Sequence, residues 1–268
     1  MSSRRIRSVS LFFPVYKDEQ TVRLVTEKAL RLLRSLELEA FEVIIIDDGS
    51  PDRAGEIADR LARECQDVRV IHHPRNLGYG AAIRSGLAAA RFEWILFTDG
   101  DDQYEIEDFR KQLRLSDRYD LLVSFRYKKI YSLQRVFISW VYNRLVQLIF
   151  HVQFRDISTA LRMVRRELID DLMLEASSPF IGAELAIKAL LKGYRVGEIG
   201  IQMFPRIQGG GSATTWRNIL LTIREVFRCR RSIFSLDYDL PPTRQRAPTE
   251  AGTMLAASEH TSQSETLT

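Results

Sequence analysis

Two carboxylates one residue apart, Asp99 and Asp101, stand in the segment Phe97-Thr98-Asp99-Gly100-Asp101-Asp102-Gln103, where the apolar run Trp94-Ile95-Leu96-Phe97 stops. The end of a strand is where an α/β sheet delivers ligands to its crevice. Paired oxygen donors suit a hard divalent cation, Mg²⁺ or Mn²⁺, and such a cation can in turn hold a diphosphate. The chemistry this suggests is transfer from a nucleotide-activated substrate. Acids after a strand also serve as ordinary turns and helix caps, so the segment gains meaning only in company. Three further polar clusters supply that company: Pro14-Val15-Tyr16-Lys17-Asp18-Glu19, Asp47-Asp48-Gly49-Ser50-Pro51-Asp52 and Arg75-Asn76-Leu77-Gly78-Tyr79-Gly80. In a parallel sheet these loops share one rim, where Tyr16, Glu19 and Asp48 would meet Asp99 and Asp101. There Asp48 can accept hydrogen bonds from a base edge or a ribose hydroxyl while Tyr16 packs on the base. Gly78 and Gly80 allow close approach of backbone to a ligand, and a helix-start turn explains them equally. His72 and His73 follow a strand without a partner at metal spacing and read as structural. Neither Gly-x-Gly-x-x-Gly nor the Walker lysine motif occurs, which argues against a dinucleotide cofactor and a P-loop kinase.

The elements that must position these residues alternate. Strands are expected at Val9 to Phe13, Glu42 to Asp47, Val68 to His72 and Glu93 to Asp99. Helices at about Asp18 to Ser35, Asp52 to Glu64 and Gly80 to Arg91 separate them, the pattern of a mainly parallel sheet covered on both faces. Further strands are expected at Asp120 to Phe125, Ala160 to Val164 and Arg195 to Met203, with a helix from about Ile181 to Lys192. The chain of 268 residues, 45% hydrophobic, supports one substantial domain over residues 1–236. Residues 237–268, rich in Pro, Ser and Thr, read as a disordered polar tail. Cys65 and Cys229 are too few for a disulfide framework or a metal cluster and fit a reducing cytosol. The basic start Met1 to Arg7 lacks a signal-peptide core because Pro14 and Lys17-Asp18-Glu19 break the apolar run, so the chain reads as unprocessed. Net charge is only +4, yet from Arg126 to Arg155 there are six Lys and Arg residues and no acid, a stretch expected to meet something anionic.

The order of motifs resembles the family 2 glycosyltransferases of the GT-A fold, in particular the dolichol-phosphate mannose synthase type and its bacterial polyprenyl-phosphate relatives. The similarity runs from about Val9 to Ser212. It comprises Pro14 to Glu19, the complete Asp47 to Asp52, Asp99-Gly100-Asp101-Asp102-Gln103, and Arg206-Ile207-Gln208-Gly209-Gly210-Gly211-Ser212. Three departures accompany it: Lys17 replaces the usual asparagine, Ser124 stands where a glycine is expected two residues before Arg126, and Asp156 to Arg162 carries Ala160 for the family's glycine. The resemblance implies metal contacts at Asp99, Asp101 and Gln103, nucleotide-sugar contacts at Pro14, Tyr16, Glu19, Asp48, Asp99, Gly100, Gln103 and Arg206, and an acceptor side of Arg126, Arg135, Ser139, Asp156 and Glu184. Asp101, Arg126, Arg135, Ser139 and Arg206 would carry the catalysis.

A nucleoside diphosphate leaves readily once its growing charge is offset, as metal at Asp101 and the Arg206 guanidinium would do. A lipid phosphate is already an anionic nucleophile and needs positioning rather than a strong base. Arg135 and Ser139, four apart on one predicted helix, could grip it together with Arg126. The expected reaction is an inverting transfer of mannose or glucose from GDP-mannose or UDP-glucose to dolichyl or undecaprenyl phosphate. Two other classes stand beside it: a transferase acting on a hydroxyl acceptor, with Asp156 as base, and a non-catalytic binding protein of the same fold. A nucleotidyltransferase would need a glycine-rich, lysine-containing first loop, which is missing. Helices at about 132–151 and 216–234 interleave aromatic and aliphatic residues with arginines, which suits a membrane interface, and no apolar run of 18 residues occurs. These features predict a cytoplasmic protein lying peripherally on a membrane surface, open to a membrane-anchoring partner protein and not binding nucleic acid.

Overall fold

A computed structural model of the chain describes residues 6–127, 133–205 and 216–234. Seven strands form one sheet: β1 (Ser8–Val15), β2 (Ala40–Asp47), β3 (Val68–His72), β4 (Trp94–Phe97), β5 (Leu121–Arg126), β6 (Arg162–Arg165) and β7 (Val196–Ile201). Their order is β3-β2-β1-β4-β6-β5-β7. The pairs of β1 with β2 and β4, of β2 with β3 and of β5 with β7 are parallel, whereas β6 runs antiparallel to both neighbours. The sheet is thus mixed and mainly parallel, as expected. From β1 the chain builds outward to β2 and β3, then returns to place β4 on the other side of β1. The carboxyl ends of β1 and β4 therefore flank the point where strand order reverses, and a crevice opens there.

Both faces are covered, so the central strands are apolar throughout. Phe12, Ile44, Ile46, Ile95 and Phe97 point to one core. That core is shared with α3 (Tyr79–Ala89), α5 (Leu133–Phe150), α7 (Ile181–Leu191) and α8 (Trp216–Phe234). The alternate residues Leu11, Phe13, Val43, Ile45 and Leu96 point to the other core. There they meet α1 (Val22–Arg34), α2 (Ala54–Glu64) and α4 (Phe109–Leu113). Gly86 lets α3 lie against β1, because a Cβ there would come within 2.3 Å of the Phe12 ring.

The differences from expectation have local causes. Helix α1 starts at Val22 rather than near Asp18, because the amides of Thr21 and Val22 both bond the Asp18 carbonyl and close a turn first. Lys17 sits at φ 63°, which keeps the chain non-helical there. The single turn Ile106–Asp108 leading into α4, and α6 (Arg166–Asp171), are too short for a periodic pattern to reveal. Among the described residues no helix is long and apolar enough to cross a membrane. The tail reading falls on residues outside the description.

Candidate active site at the carboxyl rim of the sheet

The loops after β1 and β4 are seated on one another. A Cβ at Gly100 would lie 2.5 Å from the Pro14 carbonyl oxygen, so only glycine permits this contact, and the Thr21 hydroxyl donates to the Gly100 carbonyl at 2.7 Å. Asp101 is buried at the end of this turn, and its carboxylate accepts the Gln103 amide at 3.2 Å. Gln103 also donates through Nε2 to the Phe204 carbonyl at 3.3 Å, which leaves Oε1 as an acceptor. Asp102 turns the other way and pairs with Lys28 of α1 at 2.8 Å. Asp99 receives a hydrogen bond from the Tyr79 hydroxyl. Burial first, and then the Asp99 charge, pushes this phenol well above its ordinary range, so it keeps its proton and donates. The three residues that the sequence assigns to a metal, Asp99, Asp101 and Gln103, offer only oxygen donors. Among the described residues no group of three or more His, Cys, Asp or Glu side chains forms a metal cage. Such a partial set fits Mg²⁺ or Mn²⁺, which retain water and take phosphate oxygens rather than an all-protein shell.

At the end of β2, Asp47 and Asp48 point to opposite faces, as adjacent strand residues must. Parallel register places Asp47 beside His72 of β3. The His72 ring lies 2.8 Å from Asp47 and 2.9 Å from Asp59 of α2. Burial alone would lower the His72 pKa, but hydrogen bonds and charge from Asp59 and Asp47 raise it overall. On the other face His73 lies 2.7 Å from Asp48 and 2.9 Å from Ser85 of α3. Asp48 also accepts the backbone amides of Leu77 and Gly78 at 2.8 and 3.0 Å. Gly49, at φ 66°, presses against the Arg75 backbone, where a Cβ would stand 2.5 Å from a carbonyl carbon. The loops after β2 and β3 are thus one body. Gly80 approaches protein rather than open crevice: a Cβ there would meet the Ser177 backbone at 2.5 Å.

Glu19 and Asp52 bracket the loops after β1 and β2. The Glu19 amide donates to Asp52 at 3.1 Å and the Arg53 amide to Glu19 at 3.2 Å. The Tyr16 ring has the Lys17 ammonium 5.4 Å from its centre.

Arg126, expected from sequence on the acceptor side, is held in the fold by an acid just beyond the acid-free stretch. Its guanidinium contacts Asp156 at 2.7 Å and Ser158 at 2.7 Å, and both members of the ion pair are buried. Asp156 in turn accepts the Ser158 hydroxyl at 2.6 Å. Helix α5 grips this segment: Asn143 accepts the Ile157 amide at 3.0 Å and Gln147 donates to the Phe154 carbonyl at 2.8 Å. Ser139 lies one turn before Asn143, which donates to the Ser139 carbonyl. Arg206 and the Arg135 side chain fall outside the described residues.

Glu184 stands in the first turn of α7, and its partners all belong to the fold. Its buried carboxylate accepts the amides of Glu175 and Ala176 and pairs with Lys188 at 2.6 Å, a structural cap on the segment before α7. Three residues that the sequence reading gave no site role stand close to the rim: His73, Tyr79 and Arg162. Arg162 is fully buried, its guanidinium donating to the carbonyls of Ile157, Thr159 and Gly182. Burial pulls its pKa down, against the pull of Tyr79, Tyr142, Tyr104 and Asp156 around it. The matching doublets Asp47-Asp48 and His72-His73 at the ends of neighbouring strands were the available signal for His73.

Residues 10–173 match the family described as Glycosyl transferase family 2. The dodecaprenyl-phosphate galacturonate synthase of Rhizobium johnstonii is 30% identical over 230 residues, covering 83% of this chain and 67% of that protein. The glycosyltransferase AglD of Haloferax volcanii is 30% identical over 208 residues, 74% of this chain but only 33% of AglD, so this chain spans about a third of that relative's length. Among solved structures, glucosyl-3-phosphoglycerate synthase of Mycobacterium tuberculosis, in complex with Mn²⁺, uridine diphosphate and phosphoglyceric acid, superposes with a TM-score of 0.65. It is 16% identical and is matched over 84% of this chain and 78% of its own, a likeness of fold. The sheet is that of the GT-A glycosyltransferases, and the chain belongs to glycosyl transferase family 2.

Proposed function

We propose that this chain transfers a hexose from a nucleoside diphosphate donor to a polyprenyl phosphate at a membrane surface, with inversion. The observation that carries this reading is the two-sided character of α5. One side holds the Asp156 segment through Asn143 and Gln147. The other presents Phe137, Trp140, Val141 and Leu148 to solvent, with Trp140 54% and Leu148 72% exposed. Counting Arg144, whose guanidinium lies 6.0 Å from the Trp140 ring centre, the residues of this outer stripe recur at intervals of three and four. On α8 a second stripe, Leu220, Ile223 and Phe227, is likewise exposed and lies among Arg224, Arg228, Arg230 and Arg231. Exposed aromatic and aliphatic stripes flanked by arginine fit the headgroup boundary of an anionic bilayer. The Rhizobium johnstonii relative, named for a dodecaprenyl phosphate, supports a lipid phosphate as acceptor.

In the reaction, one oxygen of the lipid phosphate attacks the anomeric carbon from the face opposite the leaving group. The bond from that carbon to the donor diphosphate breaks, and its electron pair leaves with the nucleoside diphosphate. A divalent cation held by Asp99, Asp101 and Gln103 would offset the charge on the departing diphosphate. Asp48 orients the nucleoside, and the contact of Gly100 with Pro14 fixes where Asp101 presents its carboxylate. Arg126, Arg135 and Ser139 position the acceptor phosphate, with Arg206 at the donor. The buried Arg126 pair leaves Asp156 already occupied as an acceptor, which suits a nucleophile that arrives ionised better than a hydroxyl that must be deprotonated.

The test incubates the full chain with Mn²⁺ or Mg²⁺, a short polyprenyl phosphate and a panel of radiolabelled nucleotide sugars, with Asp101→Ala alongside. Label entering the organic phase only with wild-type protein supports the reading and names the donor. Metal-dependent nucleotide-sugar binding without transfer to lipid overturns the acceptor assignment. An α-linked product from an α-linked donor, read by NMR, overturns inversion.

A further inference from the structure

We propose that His73 is a positioning residue for nucleotide binding, acting through Asp48; the inference rests on the donor-site reading above. A carboxylate accepts, so His73 Nδ1–H donates to Asp48 Oδ1 at 2.7 Å, and the other ring nitrogen, Nε2, stands 2.9 Å from the Ser85 hydroxyl. The ring is fixed at both nitrogens and by its own backbone, whose amide donates to the Asp47 carbonyl at 2.8 Å. Both His73 and Asp48 are buried.

A carboxylate offers about four acceptor directions. On Asp48, one oxygen takes His73 and the Leu77 amide, and the other takes the Gly78 amide. One direction, on Oδ2, is left over from these bonds for a ligand. Its aim is set by His73 together with the two backbone donors: the Leu77 and Gly78 amides come from the turn that starts α3, and the imidazole is the one side chain among the three, anchored to the end of β3 and, through Ser85, to α3. His73 thus ties the nucleoside-facing carboxylate to the rigid body of the fold. By contrast Asp47, one residue earlier and pointing to the other face, spends its carboxylate on His72 and the Ser50 amide, shaping the turn itself.

Two near-isosteric substitutions separate positioning from simple support. In His73→Asn the amide NH₂ falls near the place of Nδ1 and can still donate to Asp48. In His73→Gln the amide reaches the place of Nε2 and bonds Ser85 instead. Titrating UDP and GDP, each with Mn²⁺, into wild-type full chain and the variants by calorimetry gives the readout, with thermal melts run in parallel. The expected result is that His73→Ala and His73→Gln weaken binding of the preferred nucleotide by about tenfold while His73→Asn stays close to wild type. Turnover with saturating donor should be little changed, so the loss appears in KM rather than kcat. Equal affinity of the Asn and Gln variants, or wild-type affinity in His73→Ala, overturns the inference; this comparison stands even where His73→Ala fails to fold. Absence of binding of either nucleotide to wild-type protein counts instead against the donor-site reading.

Discussion

The two ends of strand β2 treat acidic residues in opposite ways. At the amino end Glu42 is buried and neutralised by full charges: Arg69 at 2.9 Å and Arg91 at 2.9 Å, with the Ser10 hydroxyl at 2.7 Å and the Arg91 amide at 3.0 Å. At the carboxyl end Asp47 and Asp48 are held by imidazoles and backbone amides, and among the described residues neither meets an arginine or lysine. A carboxylate tied to two guanidiniums has little left to offer a ligand. One that meets no guanidinium, as Asp48 does not, keeps an acceptor position for a ligand. On the proposed function the amino end serves stability and Asp48 at the carboxyl end serves binding, and substitutions should separate the two.

The largest expected effect is at the rim. Asp101→Ala should lower transfer by about a thousandfold, the scale of losing charge stabilisation on a leaving diphosphate, while the urea midpoint moves little. A comparable loss of stability would break the comparison. Next, Glu42→Gln should cost about 2 kcal/mol in urea denaturation, because bonds to two guanidiniums weaken and buried donors are poorly served, with UDP and GDP affinity unchanged. The pH dependence sharpens this. Burial alone would raise the Glu42 pKa, but the bonds from Ser10, Arg91 and Arg69 outweigh it and hold the value below 4.5. Its contribution is then complete above that pH and disappears as pH falls through the depressed value, so the gap between wild type and Glu42→Gln should close in acid.

A third pair of outcomes concerns the surface. Phe137→Glu with Trp140→Glu should reduce flotation with phosphatidylglycerol vesicles by about tenfold or more, with nucleotide affinity intact. The smallest effect is at His72, whose pKa is raised above 6.5 by Asp59 and Asp47. That stabilisation is present below pH 6.5 and is lost as pH rises through the raised value. His72 is substantially exposed, so His72→Gln should cost no more than about 0.5 kcal/mol at pH 6 and nothing measurable at pH 9.

The sheet was legible in the sequence because each central strand is a short, nearly unbroken apolar run ending in polar residues. Runs such as Val43 to Ile46 are buried on both faces and admit few other readings. The reversed β6 was legible as a strand but not in direction, since Arg162 to Arg165 carries no signal of which neighbours it pairs with. At the site, the rim carboxylates were visible because they follow strands directly. The partners that hold them were not, because His73 reaches Asp48 across 25 residues and Asn143 reaches Ile157 across 14. The bonds of Glu184 were hidden for the same reason: an acid at a helix start gives no sign in sequence that it accepts the amides of Glu175 and Ala176, nine and eight residues earlier.

The most direct test of the account fixes the donor identified above and varies only the acceptor, comparing a short polyprenyl phosphate with the corresponding free polyprenol. The account predicts label in the organic phase with the phosphate alone, because the acceptor arrives ionised. Transfer to the polyprenol at a comparable rate would contradict it.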